Sequence, residues 1–384
     1  MTQQTYRIGD HGPAITQIRN HLSLLGLLTD QTADRTGDDW DAVFDARVES
    51  AVRAFQQQRG LIADGIVDAS TWRRLDGARW GLGDRVLRYG TRHMQHGDDV
   101  TALQKRLLDL GFDPGRIDGI FGPDTERGLK ELQRNLGIPN DGLCGPVTFR
   151  SLDRLSRTVV GGEPQRIREA ERLHHRGPGV AGKVIVIDPG HGGSDRGVCV
   201  TDIAESDIVA DIASRLEGRL GAVGVTVFLT RGTNDDAPTT TESERAAFAN
   251  DVEADLVISL HTDGHDSPHA QGVASFYYGS SGSTATHSVI GEAFADLVQR
   301  EIVARTDLLD GRCDAKTWDI LQATRMPAVR IDVGYLTHPG DAARLADPAL
   351  RDTIAGAVLV ALQQLYQPTT DLRPSVVQVP TPVS

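Results

Sequence analysis

The chain has 384 residues, enough for two or three domains, and 39% of them are hydrophobic, which is typical of soluble globular proteins. A net charge of −13 argues against a nucleic-acid partner, and no apolar run is long enough for a transmembrane segment. The three cysteines are widely spaced and form no CxxC pair, which argues against a disulfide framework and a cysteine zinc site. Because the first residues lack a basic segment followed by an apolar core, we expect the protein to stay in the cytoplasm.

An internal repeat occupies the first 152 residues. Residues 44–75 align without gaps on residues 121–152, at an offset of 77. Upstream of these segments the offset is 85, so the first copy carries an insertion of eight residues. The insertion falls within the acidic stretch 29–49, which we interpret as a solvated loop. The repeat predicts two copies of one small module.

The apolar pattern predicts three short helices in each copy. In the first copy, apolar residues recur at helical spacing at the following positions: Ile15, Ile18, Leu22, Leu25, Val48, Val52 and Phe55. We expect Gly60 to end the second helix and Ser70 to cap the third. Because such a unit has few apolar residues, the two copies are expected to pack on each other.

The second copy carries the signature G-D-x-V-x-x-L-Q-x-x-L, D-G-x-F-G-x-x-T and D-G-x-x-G-x-x-T across residues 96–152. This pattern resembles the peptidoglycan-binding domain 1 family. The first copy lacks the D-G-x-F-G turn and has Asp68 where the second has Gly145. The resemblance implies a cell-wall module at residues 5–78 (module 1) and another at residues 90–155 (module 2). For module 1, a scaffold that has lost its ligand is an equal alternative.

A charged linker, residues 156–182, leads to a segment in which strands and helices alternate. Residues 183–367 therefore predict an α/β domain with a mostly parallel sheet flanked by helices. The predicted strands are 184–187, 225–229, 254–260, 273–278 and 328–333, and the predicted helices are 204–220, 242–250, 289–304 and 348–366. Residues 368–384, rich in Pro, Thr and Val, predict a disordered tail. The whole chain is thus expected to be multidomain, with two all-α modules ahead of an α/β domain.

Three candidate metal ligands lie at the ends of predicted strands or the start of a helix. His191 follows the first strand, Glu205 begins the next helix, and His261 ends the third strand. Because parallel strands place their carboxyl ends at one sheet edge, these side chains can converge. Two imidazoles and one carboxylate are a ligand set of catalytic zinc that leaves one position open for water. The sequence therefore predicts a Zn²⁺ site.

A fourth candidate, Asp332, lies within the apolar strand 328–333. A carboxylate at such a position is costly unless it has a partner or a chemical role. We expect it either to have such a role or to be a structural carboxylate paired with Arg330 or another cation.

The α/β domain resembles the family 3 N-acetylmuramoyl-L-alanine amidases. The matching segments are I-D-P-G-H-G-G at 187–193, E-S-D at 205–207, T-R at 230–231, A-D-L-V-I-S-L-H at 254–261 and M-P-A-V-R-I-D-V-G-Y-L-T at 326–337. The resemblance implies that His191, Glu205 and His261 bind zinc. It also implies cleavage of the amide between N-acetylmuramic acid and L-alanine, in peptidoglycan or a muropeptide precursor.

Two residues depart from the family pattern. Asp332 stands where the family has its catalytic glutamate, and Asp263 stands where the family has asparagine after S-L-H-x. Because the Asp332 side chain is one methylene shorter than glutamate, we expect weak amidase activity.

The whole architecture is similar to that of the CwlM-like proteins. This resemblance implies an alternative function, a cytoplasmic regulator of peptidoglycan precursor synthesis with a degenerate amidase site and peptidoglycan-synthesis enzymes as partners. It also implies phosphorylation of a threonine in the tail, for which the candidates by position are Thr369, Thr370 and Thr381. Association with the cell wall is the alternative to the cytoplasm.

Overall fold

The computed structural model describes residues 5–29, 42–156, 176–201, 203–232, 240–267, 269–279 and 286–367, together with residues 169, 171 and 173. The predicted tail with its three threonines, most of the linker, and residues 30–41 of the acidic stretch lie outside this part of the chain. Among the helices described here, none combines the length and the hydropathy needed to cross a membrane.

Within its described residues, each module folds into three helices, as the apolar spacing predicts. Those of module 1 are α1 (Pro13–Leu24), α2 (Ala46–Arg59) and α3 (Ala69–Ala78), and those of module 2 are α4 (Asp98–Asp109), α5 (Pro123–Leu136) and α6 (Pro146–Ser156). Gly60 ends α2 in the left-handed conformation, with φ 67°, as expected of a C-terminal glycine. The prediction of Ser70 as a cap is wrong. Asp68 caps α3 by accepting from the backbone N–H of Thr71, because Ser70 already lies inside the first turn.

A glutamine side chain closes the Asp-Gly turn in each module. Gln56 Nε2 donates to Asp64 Oδ1 at 2.8 Å and to the carbonyl of Ile66 at 2.9 Å, while Gly65 N donates to Gln56 Oε1 at 2.8 Å. We call this arrangement the glutamine clasp. Module 2 has two such clasps, formed by Gln104 with Asp118 and Gly119, and by Gln133 with Asp141 and Gly142. A buried polar side chain that is fully hydrogen-bonded in this way fixes the turn.

The α/β domain contains a six-stranded sheet among its described residues, with strand order β4-β1-β5-β8-β6-β7. Its strands are β1 (Val184–Pro189), β4 (Thr226–Leu229), β5 (Leu256–Asp263), β6 (Val273–Tyr278), β7 (Asp310–Lys316) and β8 (Ala328–Tyr335); β2 (Cys199–Val200) and β3 (Ile203–Ala204) form a separate hairpin. β6 is antiparallel to β8, and the other neighbouring pairs are parallel, so the predicted mostly parallel sheet is confirmed. Strand β7 was not predicted, because its sequence DGRCDAK is an exposed, polar edge without apolar alternation.

Helices cover both faces of the sheet. The helices of this domain are α7 (Glu205–Ala222), α8 (Glu242–Asp251), α9 (Val289–Arg305), α10 (Asp319–Gln322), α11 (Pro339–Ala346) and α12 (Pro348–Leu365). Because side chains alternate along a strand, Ile185 and Ile187 of β1 join the core under α7, α9 and α12, whereas Val186 joins the core under α8 and α10. A sheet covered on both faces needs continuous apolar strands, and β1 and β5 have such sequences.

The modules pack on each other and on the α/β domain. Between the modules, Arg59 makes a bidentate ion pair with Asp98, with both distances 2.8 Å. Arg116 of module 2 is buried and donates from Nη1 to the carbonyl of Thr324 at 2.6 Å, and its guanidinium lies 4.4 Å from the ring centre of Tyr278. These contacts tie the helical half of the chain to the β6 and α10 side of the sheet.

Candidate active site

The three predicted metal ligands meet at the carboxyl edge of the sheet. His191 follows β1, Glu205 is the first residue of α7, and His261 lies near the end of β5. One ligand atom from each lies within 4.8 Å of the others. Adjacent parallel pairing of β1 with β5 places the two strand ends side by side.

Glu205 joins the two imidazoles. Its Oε2 lies 3.2 Å from His191 Nε2, and its Oε1 lies 3.0 Å from His261 Nδ1. The backbone N–H groups of Val198 and Thr262 donate to the two carboxylate oxygens, at 3.0 and 2.9 Å. Glu205 is only 1% exposed, so these bonds hold one rotamer in place.

The backbone of His191 adopts the left-handed region, with φ 59°, which is costly for a residue other than glycine. Arg245 Nη2 stabilises this conformation by donating to the carbonyl of His191 at 2.6 Å. On the ring, Nδ1 lies 2.8 Å from Asp195 Oδ2, so the carboxylate holds a proton on Nδ1 and leaves Nε2 directed at Glu205. The loop thus aims one defined nitrogen into the site. Asp195 is a site residue that the sequence reasoning missed, and its only signal is its spacing of four residues from His191.

Two arginines and a buried carboxylate fix the loop that carries His191. Arg231 donates to the carbonyls of Pro189 and Gly190, each at 2.9 Å, and Arg245 also donates to the carbonyl of Pro189, at 2.8 Å. Asp188 accepts from Arg245, from the hydroxyl of Thr230 at 2.6 Å and from the hydroxyl of Ser259 at 2.7 Å. The ends of β1, β4 and β5 are therefore linked through one carboxylate.

Two glycines leave the space that the ligands occupy. A Cβ on Gly190 would lie 2.2 Å from His261 Cε1. A Cβ on Gly197, whose φ is 64°, would lie 2.5 Å from Glu205 Oε2 and 2.7 Å from His191 Cδ2. Any larger residue at either position would displace a ligand side chain.

The electrostatics of the cluster favour a carboxylate beside a neutral imidazole. Burial opposes ionisation of Glu205, but its close contacts with the imidazoles of His191 and His261 outweigh burial and hold the pKa of Glu205 well below its ordinary value. Burial, together with the charge of Arg330, lowers the pKa of His261 to about 4. A neutral imidazole has a lone pair free for a metal, and a buried anionic carboxylate can neutralise the charge of a cation.

Asp332 lies beside this cluster and is ion-paired. It pairs in register with His261 across β5 and β8, and its side chain is buried. Arg330 Nε donates to Asp332 Oδ1 at 2.8 Å, and Arg330 Nη1 also lies 3.5 Å from Glu242 Oε1. Burial raises the pKa of Asp332 to about 6 although Arg330 opposes the rise, and the charge of Asp263 adds to it. The ion pair is the partner that the structural interpretation of Asp332 requires.

A cleft of about 450 Å³ lies over the cluster. Its lining includes His191, His261, Arg245 and Arg330 of the α/β domain. Side chains of module 1 line it as well, including Ile62, Asp64, Asp68 and Arg73. No local pattern in the sequence indicates this shared cleft, since it depends on how the domains pack.

Comparison with protein families assigns both halves of the chain. Residues 185–364 match the N-acetylmuramoyl-L-alanine amidase family, and residues 11–75 and 96–152 match a peptidoglycan-binding domain family. The chain is 47% identical over 367 residues to the N-acetylmuramoyl-L-alanine amidase CwlM of Mycobacterium tuberculosis, covering 94% of this chain and 89% of that protein.

More distant relatives match about half of the chain. The germination-specific N-acetylmuramoyl-L-alanine amidase of Bacillus subtilis is 29% identical over 201 residues, which cover 49% of this chain and 81% of that protein. Among solved structures, the N-acetylmuramoyl-L-alanine amidase AmiC2 of Nostoc punctiforme is 27% identical, covering 48% of this chain and 97% of its own, with a TM-score of 0.43. The 47% identity to CwlM over most of both chains, together with the amidase family match, shows that the chain belongs to the CwlM-like members of the N-acetylmuramoyl-L-alanine amidase family.

Proposed function

We propose that the α/β domain is a zinc-dependent amidase that cleaves the amide between N-acetylmuramic acid and L-alanine, with low turnover. The observation that carries this proposal is the cluster of His191, Glu205 and His261 at the sheet edge, in a domain of amidase type. The donor set fits zinc, and Gly190 and Gly197 leave room for the three side chains. When bound there, zinc supplies Lewis acidity, which polarises a carbonyl and lowers the pKa of water.

The residues of the chain supply orientation and proton transfer. Asp195 holds the Nδ1 proton of His191, which leaves Nε2 as the ligand atom. Asp332 lies next to His261 and, when freed from Arg330, can accept a proton from water and pass it to the leaving amine. Its ion pair with Arg330 withholds one carboxylate oxygen. An aspartate also reaches one methylene less far than the family's glutamate, and a misplacement of about 1 Å can cost about 10²-fold in rate.

A second function is favoured by the same ion pair. A site whose carboxylate is neutralised by Arg330 can bind a muropeptide without cleaving it, as a regulator of peptidoglycan precursor synthesis would. In that case the metal and the cleft serve recognition only.

Muropeptide cleavage by the purified full chain separates the two functions. We expect wild type to be slow, Asp332→Glu to be faster and Asp332→Asn to be inactive, all compared at equal zinc content. Metal analysis provides the control, because His261→Ala removes one of three ligands and is expected to lose most of the zinc. Equal zinc in wild type and His261→Ala would refute the metal site. Equal cleavage by wild type and Asp332→Asn would refute the role of Asp332. If wild type and Asp332→Glu both bind zinc and neither cleaves the muropeptide, the regulatory function is favoured.

A further inference from the structure

The cleft over the metal-site residues has two walls, and they come from different domains. The α/β domain supplies the floor and one wall through His191, His261, Trp318 and Arg330. Module 1 supplies the opposite wall through the turn between α2 and α3 and the start of α3, with Ile62, Asp68 and Arg73. A ligand that reaches the metal-site residues therefore passes next to module 1.

Contacts at the rim hold the module 1 wall in place. Arg73 Nη1 lies 3.0 Å from Asp319 Oδ2, and that oxygen also accepts from the hydroxyl of Ser243 at 2.8 Å. Thr317 N donates to the carbonyl of Gly60 at 3.2 Å, one residue after the end of α2. Module 1 is thus bound to α10 and to the segment before it on either side of Ile62. The wall is therefore held in a fixed position next to the site, and is not connected to it by the linker alone.

The module 1 wall has an uncovered apolar side chain. Ile62 is 61% exposed although it lines a cleft. The indole of Trp318 also lines the cleft, and the guanidinium of Arg330 stacks on it at 4.3 Å from the ring centre. Apolar side chains with a few fixed polar groups between them are the usual lining of a small-ligand site, and about 450 Å³ falls in the usual range of about 300–1,000 Å³.

We propose that module 1 is a substrate-binding wall of the amidase site, and that one muramoyl peptide binds between Ile62 and the metal-site residues. The identity of the ligand rests on the proposed function. The volume suits a single sugar with a short stem peptide. Module 1 is then a specificity-determining part of the catalytic site, in addition to any binding role of its own.

The tandem repeat provides a matched control for this proposal. Position 62 of module 1 corresponds to position 139 of module 2, at the offset of 77. Pro139 is also exposed, and it does not line the cleft. A large side chain can therefore be placed at the same site of each module, filling the cleft in one case only.

The test is binding of N-acetylmuramoyl-L-alanyl-D-isoglutamine to the full chain, followed by ligand-observed NMR, which also detects any cleaved product. We expect Ile62→Trp to weaken binding at least about tenfold by occupying the cleft, and Pro139→Trp to leave the dissociation constant within about twofold of wild type. Equal binding by Ile62→Trp and Pro139→Trp would overturn the proposal. Failure of the unaltered chain to bind the probe would overturn it as well.

Zinc content separates this proposal from the proposed function. Neither position 62 nor position 139 contributes a metal ligand, so both variants are expected to retain zinc at the wild-type level. If Ile62→Trp binds the probe normally while His261→Ala loses zinc and cleavage, the wall proposal fails and the amidase proposal stands. If zinc is absent from the unaltered chain but Ile62→Trp still loses probe binding, the wall proposal stands without the metal.

Discussion

Replacing Arg116 by methionine should weaken the attachment of the helical half of the chain to the α/β domain. Methionine retains much of the apolar stem but removes the guanidinium. That group donates to the carbonyl of Thr324 at 2.6 Å and to its hydroxyl at 3.1 Å, and it stacks on Tyr278 at 4.4 Å. Two hydrogen bonds from a charged donor contribute about 1.5 kcal/mol each, and a desolvated cation–π contact contributes about 1 kcal/mol. We therefore expect the free energy of unfolding to fall by about 4 kcal/mol.

Urea unfolding of the full chain measures this loss, with far-UV circular dichroism and tryptophan fluorescence as separate probes. Arg127→Met is the matched control, because the Arg127 side chain is 63% exposed and, among the described residues, pairs with Asp124 on its own helix. A loss of about 0.5 kcal/mol or less is expected for it. If Arg116→Met unfolds within about 1 kcal/mol of wild type, Arg116 does not hold the domains together as its contacts indicate.

Three further predictions concern the modules. Leu107 is fully buried, so Leu107→Ala should lower the free energy of unfolding by about 2–5 kcal/mol. Leu24→Ala, at an exposed position, should leave it nearly unchanged. Equal unfolding curves for the two variants would contradict the packing of α4. Burial raises the pKa of Asp118 to about 6, so its contribution to stability is present at low pH and is lost as pH rises through that value. The free energy of unfolding of Asp118→Asn should therefore rise relative to that of wild type between about pH 4 and about pH 7.5. If the difference between the two proteins does not change with pH, the raised pKa of Asp118 is contradicted. Burial also raises the pKa of the Cys144 thiol to about 12, so a thiol reagent should modify exposed Cys199 in the native chain and reach Cys144 only on unfolding, as peptide mass mapping would show.

The parts of the fold that depend on local pattern were predictable from the sequence. Helical spacing identified the module helices, and apolar runs identified strands such as β1 and β5. Strand β7 could not be predicted, because an edge strand with its side chains in water needs no apolar alternation. The cap of α3 was placed two residues too late, since both Asp68 and Ser70 can cap a helix and only the backbone decides between them.

The candidate site also has residues that were predictable from the sequence and a part that was not. His191, Glu205 and His261 could be selected because strand ends converge in a parallel sheet. The ion pair of Asp332 with Arg330 was foreseeable as one of two alternatives, since residues two apart on a strand share a face. The wall formed by module 1 depends on contacts between residues more than 200 positions apart, such as Arg73 with Asp319, which no local pattern encodes.

The glutamine clasps have a consequence for the ancestry of the chain. Module 2 carries D-G-x-x-G-P-x-T twice, at residues 118–125 and 141–148, and each copy leads into a helix that begins with proline. Each turn is closed by its own glutamine, Gln104 or Gln133. In the described part of module 1 the second clasp is present, whereas Arg19 aligns with Gln104 and so cannot form the first. In the alignment, the insertion of eight residues falls at the position of the first turn. Two successive duplications produce this pattern. In the first, an ancestral turn-and-helix unit was duplicated to form a module, and in the second the module was duplicated. One of the resulting four units then diverged.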